Sequence, residues 1–546
     1  MLTHRHAPRR VLPRWIALAL ALALPAGAAA QPRLLFSDLE SGPDTGGALN
    51  LGVFVTLFGE GFGAAQGNST VTFGGAEVAR YVSWQQNAGA RGLDRIVVQP
   101  GAAAVSGNVV VTVGGQASNA LPFTVRAGNI YFVDPATGND ANPGTHAQPW
   151  ATLWRPRQTM VAGDTVYVRG GTFSELDPEV PGWDTLLFLD LSFGASGTAA
   201  APIAYLGYPG NPPRLVNPLA RRGIYLNQDG GPLSHHVIGN IRFGEVEDAV
   251  LVTGIGQRIV GNDLSNGGIG NKVGIFGDTS AIEVLGNRFI ANGVPPTKYY
   301  AIYIQGFGVN QDIELGWNEI RDQEGRSIQV YGHLDGDFVD DLRIHDNVLV
   351  GSDLNNLLLG GSDGGTEILG TVSVTGNVIA GARGAEGLRI NDPNGTVVID
   401  NNTLSGNAVA QIYLEEAGAG HVTLRDNILV AEAGQTYYEF DAGSSSASFV
   451  PAHNLVFGGG ACAPWDAGCV NADPLFVSGT NYHLRPASPA IDAGVATSAA
   501  RDHDGVLRPQ AAAFDIGAFE YLASSVPLFT DGFETGDTSL WSIVQP

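Results

Sequence analysis

The sequence holds two lysines, and one of them, Lys298, leads a run of ring side chains in "PTKYYAIYIQG", where Tyr299, Tyr300 and Tyr303 follow. A lysine or tyrosine that gives up its proton near neutral pH is a general base. A fixed cation beside it stabilises the negative charge that proton removal creates. About one repeat later come Glu324, Arg326 and His333, each suited to a different part of that chemistry. His333 titrates near neutrality, and Arg326 is a permanent cation that also depresses a neighbouring lysine's pKa. Glu324 is the proton donor that carboxylate-based bond cleavage would need. From the residues alone Lys298 has two open readings, a base or a solvated loop lysine.

What positions these groups is a repeat. Nine segments share a short apolar run, an asparagine and a second apolar run, among them "IVGNDLS", "VLGNRFI", "IHDNVLV" and "LRDNILV". Their asparagines are Asn240, Asn262, Asn287, Asn318, Asn347, Asn377, Asn402, Asn427 and Asn454, at intervals of 22 to 31 residues. Such a period predicts a β-solenoid. Each coil must bend sharply, which Asn tolerates, and coils stacked about 4.8 Å apart let side-chain amides bond one another as a ladder. These asparagines are structural, and all nine are expected in one turn column.

Each coil also carries a strand after the loop that follows the asparagine turn: "GIYLN", "AVLVT", "GIFGD", "AIYIQ", "SIQVY", "NLLLG", "GLRIN" and "QIYLE". Alternation sends Ile224, Ile302, Ile304, Ile328, Val330, Leu388, Ile390, Ile412 and Leu414 inward. It sends Tyr225, Leu251, Phe276, Tyr303, Gln329, Leu358, Arg389 and Tyr413 outward, flanked by Gln305, Tyr331, Asn391 and Glu415. Rings suit the C–H faces of sugars, and amides and arginine suit their hydroxyls and carboxylates. The column therefore reads as a polysaccharide-binding face, with Tyr299 and Tyr300 at its approach. The competing reading is ordinary β-propensity on a solvated sheet. In "GHLDGDFVDD", Asp335, Asp337, Asp340 and Asp341 can supply calcium's oxygen ligands, and the same string is also turn chemistry. Asp502, Asp504 and Gly505 pose the same choice.

The bulk numbers limit the partners. With 29 Lys+Arg against 53 Asp+Glu the net charge is −24, which repels phosphate backbones and argues against nucleic acid. Arg5, Arg9, Arg10 and Arg14 precede the apolar "WIALALALAL" and the small-residue "AGAAA", so residues 1–30 read as an export signal. No later stretch is apolar enough to span a bilayer. The expected location is extracellular, periplasmic or at the cell surface, and the expected state a monomer. Cys462 and Cys469, in "CAPWDAGC", suit a local disulfide in an oxidising compartment.

Residues 31–126 hold short β-rich runs between Gly-rich turns, as in a β-sandwich. Their strings "VTLFGEGFG", "VTFGG" and "VVVTVGGQASNALPFTV" resemble the IPT/TIG family of immunoglobulin-like domains. That resemblance implies a spacer or binding module without catalytic residues. From "NIYFVDPATGNDANPGTHAQPWATL" to "AGDTVYVRGGTF" the sequence resembles the opening of secreted right-handed parallel β-helix proteins of the pectate-lyase-like type. It implies strands and a small helix capping the solenoid in residues 127–222, coils over 223–460, a closing segment over 461–523 and a detached tail over 524–546. The expected fold is thus all-β, a parallel β-helix with an asparagine ladder behind a small sandwich.

In such families the substrate groove follows the corresponding sheet. A lysine or arginine there serves as base for β-elimination, with calcium neutralising a uronate carboxylate. The families' local catalytic motifs are absent from this sequence, as are the paired aspartates of polygalacturonase-like hydrolases. The leading expectation is a polysaccharide lyase, with Lys298 or a nearby tyrosine as base and Arg326, Arg389 or calcium as stabiliser. The alternatives are a glycoside hydrolase using Glu324 and a non-catalytic glycan-binding or adhesin-type solenoid.

Overall fold

A strand whose side chains alternate between apolar and polar has one face to hide, and in the N-terminal module two sheets hide theirs against each other. The computed structural model describes residues 31–522, apart from 228–230, 269, 294–298, 307, 335, 363–367, 433 and 442. The expected export segment, the C-terminal tail, Lys298 and Asp335 all lie outside the described residues. One sheet of the module orders Arg33–Ser37, Val55–Glu60, Asp94–Gln99 and Arg80–Gln85. The other runs through Leu121–Val125, Gly107–Val113 and Thr70–Phe73. Val71, Phe73, Ile96, Val98, Val111 and Phe123 are buried between them.

From Ile130 onward the chain coils. Each full coil contributes one strand to each of three parallel faces, here A, B and C. Tyr300–Gly306 on face A is followed by Val309–Gly316 on face B, an asparagine turn, and Glu319–Arg321 on face C. Registers align like with like: Ile302, Ile328, Leu357, Leu388 and Ile412 pair in succession. All the residues expected to point inward on face A are buried. Among the described residues there is no α-helix. The helix expected in the cap is a single 3-10 turn, Pro156–Gln158. Pro149 and Pro156 donate no backbone hydrogen bond, and Trp150 fills the open end instead, donating its indole N–H to Asn142 O at 2.8 Å.

The ladder exists, with one correction. From Asn262 to Asn427 each side-chain amide donates to the next asparagine's Oδ1 at 3.0–3.1 Å, ending on Asn454. Asn240 is not a rung. The rung site of its coil is Ile241, whose backbone N–H donates to Asn262 Oδ1, and Asn240 instead donates to Asp38. The left-handed backbone position also differs from expectation, falling on the residue before each rung site. Asn240, Gly261, Gly286, Trp317, Asp346, Gly376, Asn401, Asp426 and His453 all have positive φ there. The rung asparagines are selected for amide bonding, not for αL tolerance.

Two packings were not visible in the repeat. The sandwich docks on face B of the early coils, where Tyr167, Ala204, Leu206 and Val237 join its own core. There Phe54 N–H donates to Tyr167 Oη at 2.7 Å, and Phe36 stacks between Phe58 and Trp317 at centroid distances of 4.7 and 5.1 Å. At the other end the disulfide between Cys462 and Cys469 is formed. Beyond it, the closing segment turns back along face C. Ile516 packs with Ile428, and Ala518 and Phe519 pack with Val378 and Val348. It reaches the sandwich, where Arg91 bonds Asp504 Oδ1 at 2.9 Å and His503 Nε2 at 2.8 Å.

Candidate functional site

Face A is where the solenoid brings the candidate residues together. Its outward register runs Leu251, Gly274, Tyr303, Gln329, Leu358, Arg389, Tyr413. Phe276 is therefore not in this column, contrary to the expectation from sequence. It pairs with Gln305, which pairs with Tyr331. The displacement follows from the long strand Val273–Leu285, which rounds the corner from face A to face B and begins two residues earlier than its repeat unit implied. A side chain at Gly274 would meet Leu251 at 2.5 Å and Phe276 at 2.9 Å, so this position admits the neighbouring ring and nothing more. Nor is the column an open platform, because Leu251, Tyr303, Gln329 and Leu358 are all buried.

The densest polar arrangement is centred on Tyr303. Its hydroxyl lies 2.7 Å from His333 Nε2 on the next coil. Tyr300 meets Tyr303 edge-on at 5.1 Å, and Tyr331 meets His333 edge-on at 5.6 Å. The Arg326 guanidinium lies 5.7 Å from the Tyr300 ring centroid. It donates to Gln329 Oε1 at 2.7 Å and to Asn355 Oδ1 at 3.1 Å, and Asn355 in turn donates to Glu386 at 2.6 Å. Burial pulls the Arg326 pKa below the ordinary guanidinium range, with Tyr300 and Glu386 opposing it. The side chain nevertheless remains a cation at neutral pH. Asn355 was missed in sequence because its immediate neighbours "LNNLLLG" carry no charged or aromatic signal.

Further along, Arg389 is paired. It bonds Glu415 Oε2 at 2.5 Å and lies 4.6 Å from the Tyr413 ring centroid. Burial opposes its charge, but Glu415 outweighs that and raises its pKa. Arg389 also donates to Asn391 Oδ1 at 3.1 Å, so Asn391 belongs to the same knot. At the opposite end Arg222 sits 4.5 Å from the Tyr225 ring centroid, with Trp183 5.8 Å from that ring. Trp183 and Arg222 precede the clear repeats, and sequence reasoning passed over them. Tyr299 is half-buried just before strand Tyr300–Gly306.

The acidic candidates separate. Asp337 accepts from the backbone N–H of Gly308, His333 and Leu334 at 2.7–2.8 Å, which makes it a turn-forming residue. Asp340 accepts from Thr371 N–H at 2.6 Å, and Asp341 pairs with Arg343 at 2.8 Å. Among the described residues no group of three or more His, Cys, Asp or Glu side chains converges as a metal site. Glu324 stands outside the Tyr303 arrangement, in the turn leading into face A. Its pKa is pushed up by a hydrogen bond with Asp353, which is ion-paired to Arg383 at 2.6 Å.

Residues 42–125 match the family model described as the IPT/TIG domain. Among solved structures, pectate lyase Pel9A is similar with a TM-score of 0.52 at 16% identity, over 72% of this chain and 96% of that one. A rhamnogalacturonan lyase gives a TM-score of 0.45 at 15% identity, over 70% of this chain and 95% of that one. A mannuronic acid specific family 6 lyase from human gut microbiota gives 0.29 at 13% identity, over 55% and 82%. No curated protein matches the chain. The chain thus carries an IPT/TIG domain followed by a right-handed parallel β-helix similar in fold to that of pectate lyase.

Proposed function

We propose that this protein is an exported polysaccharide lyase that cleaves a uronate-containing glycan lying along face A. The observation that carries the reading is the Tyr303–His333 contact of 2.7 Å, with Arg326 held nearby by Gln329 and Asn355. In β-elimination a base takes the proton at C5 of the uronate, its electrons form the C4–C5 double bond, and the C4–O bond to the neighbouring sugar breaks. The departing oxygen then takes a proton. A tyrosine and a histidine in hydrogen-bond contact can divide these two proton transfers, one as base and the other as acid. Arg326 suits the carboxylate, whose charge grows as the C5 proton leaves. Arg389 does not serve that role, because Glu415 already neutralises it. Fold-level likeness to a pectate lyase agrees with this reading and carries no residue assignments.

The test is incubation of the full-length protein with a panel of polyuronates, following the near-ultraviolet absorbance of the conjugated product and, separately, new reducing ends. A lyase produces both. Reducing ends without absorbance indicate a hydrolase, and binding without cleavage indicates a glycan-binding solenoid; either result overturns the proposal. With a substrate found, Tyr303→Phe is expected to lower turnover at least about a hundredfold while the protein stays folded.

A further inference from the structure

The sandwich and the coils border a polar cavity that opens to solvent, away from face A. It has a volume of about 280 Å³ and is lined by sandwich residues including Phe58 and Arg95, and by solenoid residues including Tyr208, Asn240, Arg242, Asp263 and Arg288. Domain junctions are preferred places for small-ligand sites. In a chain of net charge −24, an accumulation of arginines in one cavity needs a reason. Arg242, Asp263 and Arg288 occupy successive coils in one register on face C, so their side chains rise about 4.8 Å apart. Arg95 comes across from the sandwich.

Their hydrogen bonding is incomplete in a specific way. Among the described residues, Arg95 Nε is buried with no acceptor, while Asn240 Oδ1 and Asp263 Oδ1 are buried with no donor. Arg95 is held by Gln85 at 3.1 Å through Nη2, and Asn240 by Asp38 at 2.7 Å through Nδ2, so two of the three orphaned atoms belong to anchored side chains. Buried polar atoms without partners cost about 1–3 kcal/mol each and are rare in folded proteins. The three residues that carry them all line this one cavity.

We infer that this cavity is a binding site for one acidic sugar residue, a uronic acid, independent of face A. The sugar's carboxylate answers the Arg95 and Arg242 guanidiniums, while Arg288, paired through Nε with Glu319 at 3.3 Å, adds positive charge at the edge. Its hydroxyls are donors for Asn240 and Asp263, and the half-buried Tyr208 ring offers a surface for its C–H face. An inorganic anion meets only half of these needs. Sulfate accepts from the arginines, has no proton for Asn240 or Asp263, and is repelled by the Asp263 carboxylate. The volume admits a single ring, so the ligand is a monosaccharide or a chain end.

The inference is tested on the full chain by titration calorimetry with galacturonic acid, galactose and sodium sulfate. Galacturonic acid is expected to bind at least tenfold more tightly than the other two. Arg242→Gln with Arg288→Gln is expected to weaken it at least tenfold, with unchanged melting because both side chains are exposed. Equal affinity for sulfate would reduce the site to an anion hole and overturn the inference. So would absence of binding, or affinity unchanged by the double variant. Affinity lost in Arg326→Gln but kept in the double variant would put the sugar on face A, a result that spares the lyase proposal and ends this one.

Discussion

Replacing Asn347 by leucine tests what holds the coils in register. The Asn347 side chain is fully buried and has all its bonds made. Its amide donates to Leu315 O at 2.8 Å and to Asn377 Oδ1 at 3.0 Å, and its Oδ1 accepts from Asn318 N–H at 2.9 Å and from Asn318 Nδ2 at 3.0 Å. Leucine removes all four. Asn377 Oδ1 keeps the Asn347 backbone N–H at 3.0 Å, so it is not stranded. Left without partners are the Asn318 backbone N–H and one Asn318 amide proton, while the Leu315 carbonyl, which sits in the β-ladder opposite Ile344, loses one bond. At about 1–3 kcal/mol for each stranded group, and allowing for partial relaxation, the expected loss is roughly 2–4 kcal/mol. Leucine's gain in apolar burial offsets little, because the column is closely packed on both sides. The assay is urea unfolding of wild type and variant, followed by circular dichroism, with the unfolding slope compared as well as the midpoint. A loss below about 1 kcal/mol would refute the reasoning and mean that the apolar interior alone sets the stacking.

Phe36→Ala removes the ring stacked between Phe58 and Trp317 and is expected to cost about 3–5 kcal/mol at the sandwich–solenoid contact. The readout is faster proteolytic release of the sandwich. His345, held by Glu314 at 3.1 Å and Asp346 at 2.9 Å, has its pKa raised to about 9 against burial. A raised folded-state pKa gives stability that is complete below the unfolded value near 6.5 and fades as pH rises through about 9. The stability gap between wild type and His345→Ala is therefore expected to be wide at pH 6 and narrow at pH 10 in urea titrations. Asp337→Ala frees three backbone N–H groups and is expected to lower the melting temperature equally in calcium and in chelator. A loss confined to the calcium sample would assign Asp337 to a metal instead.

The ladder was legible in the sequence because the same physical demand recurs at the same point of every coil and only one side chain meets it well. The inward residues of face A were legible for the same reason, since alternation and burial repeat together. The register of Phe276 was not, because strand Val273–Leu285 rounds a corner and one period does not describe it. Pairings that depend on residues far apart in the chain were also hidden. Nothing in "LNNLLL" announces that Asn355 bridges Arg326 and Glu386, and nothing near Arg389 announces Glu415 as its partner. The docking of the sandwich on Tyr167 and Trp317 is a single event, and single events leave no period to detect.

That docking changes how the molecule comes apart. A solenoid is quasi-one-dimensional, each coil touching only its neighbours, so its end coils can fray without disturbing the middle. Here the sandwich and the closing segment are fastened to each other across the stack: Arg91 bonds Asp504, 413 residues later, and donates its backbone N–H to Glu319 between them. The chain from Arg91 to Asp504 is thus a loop closed by non-covalent bonds, with the middle coils inside the circuit. Peeling a terminal coil must first open the clasp, and opening the clasp uncovers Val348 and Val378 in the centre of the stack. A ligand in the cavity beneath the sandwich would tighten the same clasp, so binding at one edge would be felt as resistance to unwinding along the whole length.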